Sequence, residues 1–216
     1  MSEREVLDLD VLFVGAGPAS LAGAIHLKRL LSKSGTEASV AVLEKASEIG
    51  AHSLSGAIVD PRALRELFPD YPDTDLPFEA EVSEEHLYYL TENKKIPFPF
   101  VPPSMSHHHC FVTSLGKLTR WLGNKCENEG VDIFCGFAGT KLLYEGEQVV
   151  GVRTGDRGID KNGEKKPQFE PGADIRAKVV ILGEGTRGSL TKNLIDRHEL
   201  MQDRKSTRLN SSHVKR

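Results

Sequence analysis

The sequence predicts an α/β fold in which antiparallel β segments interrupt a parallel sheet. Three observations carry this. From Asp10 to Glu44 an apolar run, a glycine turn, an amphipathic helix and a second apolar run follow one another, the pattern of a βαβ unit. From Lys178 to Gly185 another apolar run meets another glycine turn. Between these lie a proline-broken stretch and a stretch with hairpin character.

Each element has a local reason. Asp10-Val11-Leu12-Phe13-Val14 is short and rich in β-branched and aromatic residues, as in a buried parallel strand. Gly15-Ala16-Gly17-Pro18 turns the chain, and Pro18 suits a first helical position. Leu21, Ala24, Ile25, Leu27 and Leu31 then recur near helical spacing from Ala19 to Ser32, with Gly35 as the stop. Ser39 to Leu43 is the second strand and ends at Glu44. Pro61 to Phe68 has a helical pattern, whereas the prolines between Pro69 and Met105 exclude long helices. Leu115 to Glu129 predicts a helix ending at Gly130, and Val131 to Phe134 a strand extending the parallel sheet. Lys141 to Tyr144 and Gln148 to Arg153 predict a hairpin, Asn162-Gly163 a type I′ turn, and Ala173 to Ala177 a returning strand. Lys178 to Leu182 is then a further buried strand. By this reading 1–68 form the βαβ unit, 69–113 an insertion, and 114–202 the continuation with a β-meander.

The last stretch, DRKSTRLNSSHVKR, fits nothing before it, with five Lys or Arg against one Asp in fourteen residues. Asp203 to His213 reads as a translated sequencing-library adapter. The expectation is that 203–216 are a non-native tail and that the natural sequence is truncated at the C-terminus near Gln202.

Composition excludes some function classes. A net charge of −3 leaves no nucleic-acid footprint, and no apolar run approaches the roughly 20 residues that span a bilayer. The acidic, polar N-terminus MSEREVLDLD excludes a typical secretory signal and disfavours an Arg-rich transit peptide. Cys110, Cys126 and Cys135 are odd in number and lack C-x-x-C spacing, which suggests neither a disulfide framework nor a metal site.

The chemistry lies in the glycines. Gly15-Ala16-Gly17-Pro18-Ala19-Ser20 keeps two glycines of G-x-G-x-x-G, with the small Ser20 third. A helix N-terminus behind such a turn offers free N–H groups to a pyrophosphate. Glu44, at the end of the second strand, can accept both ribose hydroxyls and would repel a 2′-phosphate. Together these predict a Rossmann-like dinucleotide-binding fold. The second turn, Gly183-Glu184-Gly185, suggests another approach to a longer ligand such as FAD. The alternative is an ordinary loop before a helix at Ser189-Leu190-Thr191.

GAGPASLAGAIHL, VLEKASEIGAHSLSGAIVDPRALRELFPD and VVILGEGTRGSL resemble the FAD domain of the electron transfer flavoprotein-ubiquinone oxidoreductase family, over residues 8 to 202. The phrase IGAHSLSG is the most specific part. The family usually has Gly where this chain has Ser20. The resemblance implies a Rossmann-like FAD-binding fold with inserted antiparallel β segments. It implies that Gly15, Gly17, Pro18, Ala19 and Ser20 hold the pyrophosphate, and that Glu44 holds the adenosine ribose with Lys45 beside it. It places Gly50, Ser53, Leu54, Ser55 and Gly56 around the flavin, and Gly183, Glu184 and Gly185 by the ribityl-phosphate.

The implied activity passes electrons from electron transfer flavoprotein through a 4Fe-4S cluster and FAD to ubiquinone at a membrane surface. The cofactors carry that chemistry, so no catalytic acid or base is assigned. The cluster and much of the quinone site are expected beyond this chain, which alone is expected to be inactive. Residues 69–113 would belong to a quinone- and membrane-facing subdomain, and the protein to the cytoplasmic side of a bacterial inner membrane.

Other readings stay open. The apolar stretch Ile96 to Met105 either packs within its subdomain or dips into a leaflet, and the resemblance implies the second. His107-His108-His109-Cys110 invites a metal, but adjacent side chains converge poorly and no ligand is assigned. Trp121 shares a helical pattern with Leu118 and Leu122 and reads as core. Competing functions are an NAD(P)H flavoenzyme resembling geranylgeranyl reductases or aromatic hydroxylases, and a non-catalytic nucleotide-binding module that uses the basic tail.

Overall fold

The computed structural model describes residues 4–160 and 164–201. The Asn162-Gly163 turn and the tail from Asp203 lie outside them. In chain order, β1 (Val6–Val14), α1 (Pro18–Ser34) and β2 (Val40–Glu44) form the βαβ unit. β3 (Gly56–Val59), α2 (Arg62–Leu67), β4 (Ala80–Glu81), β5 (Tyr88–Leu90), β6 (Lys95–Pro97) and β7 (Phe111–Ser114) follow. Next are α3 (Leu115–Asn128), β8 (Asp132–Cys135), β9 (Gly139–Glu145) and β10 (Gln148–Thr154). β11 (Arg157–Ile159), β12 (Lys165–Glu170), β13 (Asp174–Leu182) and α4 (Ser189–Arg197) complete the order. The chain divides into two compact units, one running to Ile49 and resuming at Gly123, the other Gly50–Leu122.

The first unit is built on a six-stranded sheet in the order β8-β2-β1-β13-β10-β9. β8, β2, β1 and β13 run parallel, and β10 closes antiparallel on β13. Val40 to Leu43 are wholly buried, as expected of a parallel strand covered on both faces. α1 packs Leu21, Ala24 and Ile25 out of water, and Gly23 admits the Phe13 ring, which would lie 3.3 Å from a Cβ there. Gly35 ends the helix in the left-handed conformation, its N–H bonded to the last turn. Leu12, Val14, Leu43, Leu142, Val152, Ile175 and Leu190 form the apolar core.

The structure corrects the sequence reading of β13. The expected strands Ala173 to Ala177 and Lys178 to Leu182 are one strand, in register with β1 from Val6↔Asp174 to Val14↔Leu182. It is not buried throughout, because Val179 and Ile181 are 50% and 37% exposed. Its chemistry changes midway because its neighbours do: Asp174–Arg176 pair with β10 as well as β1. β1 likewise begins earlier than expected, at Val6 rather than Asp10, and its first residues are exposed. The β9–β10 hairpin is part of the main sheet, whereas β11 and β12 pair as a separate ribbon.

The second unit has a small antiparallel sheet, β3-β7-β4, and a detached β5–β6 hairpin. Its core gathers Leu64, Phe68, Leu76, Leu118 and Leu122. Trp121 meets Phe68 edge-on at 4.8 Å between ring centroids, in keeping with a packing role. The proline-rich stretch forms only one-turn helices and short strands. Within this chain Ile96, Phe98, Phe100 and Met105 are all exposed, Phe100 at 67%. The histidines diverge. His107 Nδ1 lies 2.6 Å from Glu85 and His109 Nδ1 lies 3.4 Å from Glu81.

Candidate functional site

The two glycine turns leave the C-terminal ends of β1 and β13, which are adjacent parallel strands. Ligands of open α/β sheets bind beyond such strand ends. Gly15 has φ +100°, and a Cβ on it would meet the Gly183 carbonyl at 2.6 Å, so this glycine lets the two turns touch. The Gly183 amide donates to the Val14 carbonyl at 2.9 Å, and the Gly15 amide to Leu43 at 2.7 Å. The turns are therefore tied to three strands.

Gly17 is different. Its φ of −76° and ψ of 166° suit any residue, and nothing lies within 4 Å of where its Cβ would be. It is the N-cap of α1, a position where Ser, Thr, Asp or Asn would add a side-chain hydrogen bond, and no side chain caps this end. Pro18 occupies the first helical turn. The fold itself gives no reason for glycine at 17. The open face of the turn and the positive end of the α1 dipole point to a close-approaching anion.

Glu44 stands at the end of β2 and bridges two backbone segments. Its Oε2 accepts the Ala16 amide at 2.9 Å and its Oε1 accepts the Ala46 amide at 2.8 Å. One carboxylate thus fixes the first glycine turn against the chain leaving β2. Each oxygen keeps a second lone pair for a ligand hydroxyl. Lys45, next to it, is exposed.

Glu184 has a structural task that sequence reading missed. Its carboxylate accepts the Thr191 amide at 2.8 Å, the Thr191 hydroxyl at 2.9 Å and the Leu190 amide at 3.2 Å. It caps α4 in place of Gly188, which carries no capping side chain. The only sequence signal was an acid shortly before Ser189. Gly185 is exposed, with open space around a Cβ position.

Gly50, Ser53, Leu54, Ser55 and Gly56 belong to the other unit. There the Ser53 amide donates to Gly50, and the Leu115 amide donates to Ser55. A Cβ on Gly50 would meet the Gly116 carbonyl at 2.8 Å. The glycine content of this loop thus serves contact with the start of α3. Leu54 is 91% exposed, an apolar side chain with no cover from its own unit.

By sequence, the chain is 44% identical over 202 residues to the mitochondrial electron transfer flavoprotein-ubiquinone oxidoreductase of Oryza sativa, covering 92% of this chain and 34% of that protein. It is 43% identical over 203 residues to the Pseudomonas aeruginosa enzyme of the same name, covering 92% of this chain and 37% of that one. The chain is similar to electron transfer flavoprotein-ubiquinone oxidoreductases along nearly its whole length. It spans about a third of the length of these curated relatives. No family model matches. Among solved structures, this chain superposes on a geranylgeranyl bacteriochlorophyll reductase-like protein of Thermoplasma acidophilum with a TM-score of 0.56. That match is 22% identical and covers 83% of this chain and 40% of that one. A myxobacterial chondrochloren halogenase, a variant of FAD-dependent halogenases, gives 0.55 at 16% identity over 86% and 39% of the two chains. These likenesses show the α/β fold.

The residues present fit a dinucleotide: an open glycine turn, an uncapped helix N-terminus and a carboxylate at the end of β2. They do not fit the 4Fe-4S cluster expected of the whole oxidoreductase. Such a cluster usually takes four thiolates, and the chain has three cysteines. Cys126 is wholly buried, and burial pushes its thiol up to about 12. Among the described residues no group of His, Cys, Asp or Glu could hold a metal, and no helix is long and apolar enough to cross a membrane.

Proposed function

We propose that this chain is the FAD-binding part of an oxidoreductase that takes electrons from electron transfer flavoprotein and passes them to ubiquinone. The observation that carries the reading is Gly17, a glycine the fold does not need, at the mouth of an uncapped helix. FAD, when bound, supplies the redox chemistry. The amides at the start of α1 face the pyrophosphate, with Gly15, Gly17, Pro18, Ala19 and Ser20 forming the turn. Glu44 orients the adenosine ribose while holding Ala16 and Ala46, with Lys45 alongside. Gly183 and Gly185 shape the ribityl-phosphate side, and Glu184 keeps α4 in place behind them. Gly50, Ser53, Leu54, Ser55 and Gly56 serve the flavin end, where an exposed Leu54 suits contact with an apolar ring edge.

The quinone is lipid-soluble, and the β5–β6 hairpin offers a matching surface. Tyr89, Leu90, Phe98 and Phe100 are 61%, 70%, 50% and 67% exposed, beside Lys94 and Lys95. Apolar side chains flanked by lysines suit an anionic bilayer surface. In a bacterium this is the cytoplasmic face of the inner membrane. The 4Fe-4S cluster and much of the quinone site belong to the remaining length of the relatives.

The test is a titration of the purified chain with FAD, followed by flavin fluorescence, beside Gly17→Val. The starting chain should bind one FAD, and the valine should weaken binding by at least about tenfold, since its side chain would stand in the open face of the turn. A folded chain that ignores FAD, or a valine variant that binds it equally, would refute the reading. Flotation with anionic vesicles tests the hairpin separately. Leu90→Asp with Phe100→Asp should abolish flotation, and undiminished flotation would remove the membrane assignment.

A further inference from the structure

Ser20 stands at the third small position of the G-x-G-x-x-G pattern, and the structure shows what makes room for it. It lies in the first turn of α1 and is 4% exposed. A Cβ built on Gly183, at the end of β13, would fall inside the van der Waals radius of Ser20 Oγ. The other atoms near that position are ordinary neighbours: Ser20 Cβ at 3.4 Å and the Val14 carbonyl oxygen at 3.5 Å. Gly183 is not in the left-handed region, so its backbone would accept alanine. The one atom barring a side chain there is the Ser20 oxygen.

We propose that Ser20 and Gly183 are a matched pair, in which one position carries a side chain only because the other carries none. The pair sets the spacing between the two glycine turns, which makes Ser20 a positioning residue for the dinucleotide. This second statement rests on the FAD reading above. The first does not, because it concerns the packing of α1 on β13 alone. The physical basis is the close packing of interiors: two groups cannot share one notch, and a buried side chain has few rotamers to retreat to.

The experiment is a mutant cycle on the full chain: Gly183→Ala, Ser20→Ala, Ser20→Gly, and each serine variant combined with Gly183→Ala. Two quantities are read, the melting temperature without FAD and the FAD dissociation constant. Gly183→Ala alone should lower the melting temperature and weaken FAD binding by at least about tenfold. Both double variants should regain most of the melting temperature lost by Gly183→Ala alone, because either serine substitution removes the offending oxygen. If Gly183→Ala alone matches the double variants in melting temperature, Ser20 rotates away freely and the pair does not exist. If the melting temperatures couple but FAD affinity never moves, the positioning role falls. If the folded starting chain binds no FAD, the positioning role falls with the FAD reading, while the melting cycle still decides the pair.

Discussion

Replacing Glu44 by Gln separates a carboxylate that holds the protein from one that only greets a ligand. Glu44 accepts one amide on each oxygen, Ala16 at 2.9 Å and Ala46 at 2.8 Å. The Gln amide nitrogen cannot accept, so one of the two N–H groups would face another donor. A hydrogen bond to a charged group contributes about 1.5–3 kcal/mol. For a chain of this size each kcal/mol shifts the melting temperature by about 2–4 °C, which gives a fall of roughly 3–12 °C. The assay is thermal unfolding by circular dichroism in the absence of FAD, paired with the FAD titration. Glu44→Ala, which removes both acceptors, should melt lower still. A FAD-free melting temperature within about 1 °C of the starting chain, with affinity alone reduced, would refute the reasoning. It would mean that the amides are satisfied by water and that the carboxylate serves only the ligand.

Two further outcomes are expected. Asp10 is held by Lys178 Nζ at 2.6 Å and by the amide and hydroxyl of Ser39, which push its carboxyl down to about 2. Its folded value is below its unfolded one, so its stabilisation is present above about pH 4 and is lost as pH falls toward 2. The melting-temperature deficit of Asp10→Asn relative to the starting chain should shrink as pH falls through that window, and a deficit independent of pH would count against the pairing. Glu184→Ala should cost about 1 kcal/mol by uncapping α4, read as a lower melting temperature without FAD; no change would leave Glu184 with a ligand role alone.

Much of this was legible in the sequence, for identifiable reasons. The βαβ unit announces itself because Val40 to Leu43 are buried on both faces and α1 on one, and such patterns are local. The β9–β10 hairpin is equally local. What escaped is long-range. β3 and β7 pair Gly56 with Ser114, yet Ile58 and Val112 are about half exposed and give no alternation to read. β13 looked like two elements because its neighbours change along its length. In the site, the positions of Gly15, Gly17 and Glu44 follow from spacing. Their tasks do not: that Gly15 meets Gly183, that Glu44 grips Ala16, and that Glu184 caps α4 are facts of packing between distant segments.

The ladder between β1 and β13 joins segments far apart in the sequence, Val6 with Asp174 and Val14 with Leu182. A parallel pair of this kind closes only after nearly everything between has been made, so on the ribosome β1 emerges long before its central neighbour exists. β2 can dock on one edge early, while the other edge waits with its N–H and C=O groups unpaired. The two turns meet at the far end of this same ladder. Whatever they hold therefore finds both turns in place only after this ladder has closed, too late to template the docking of β1 on β2.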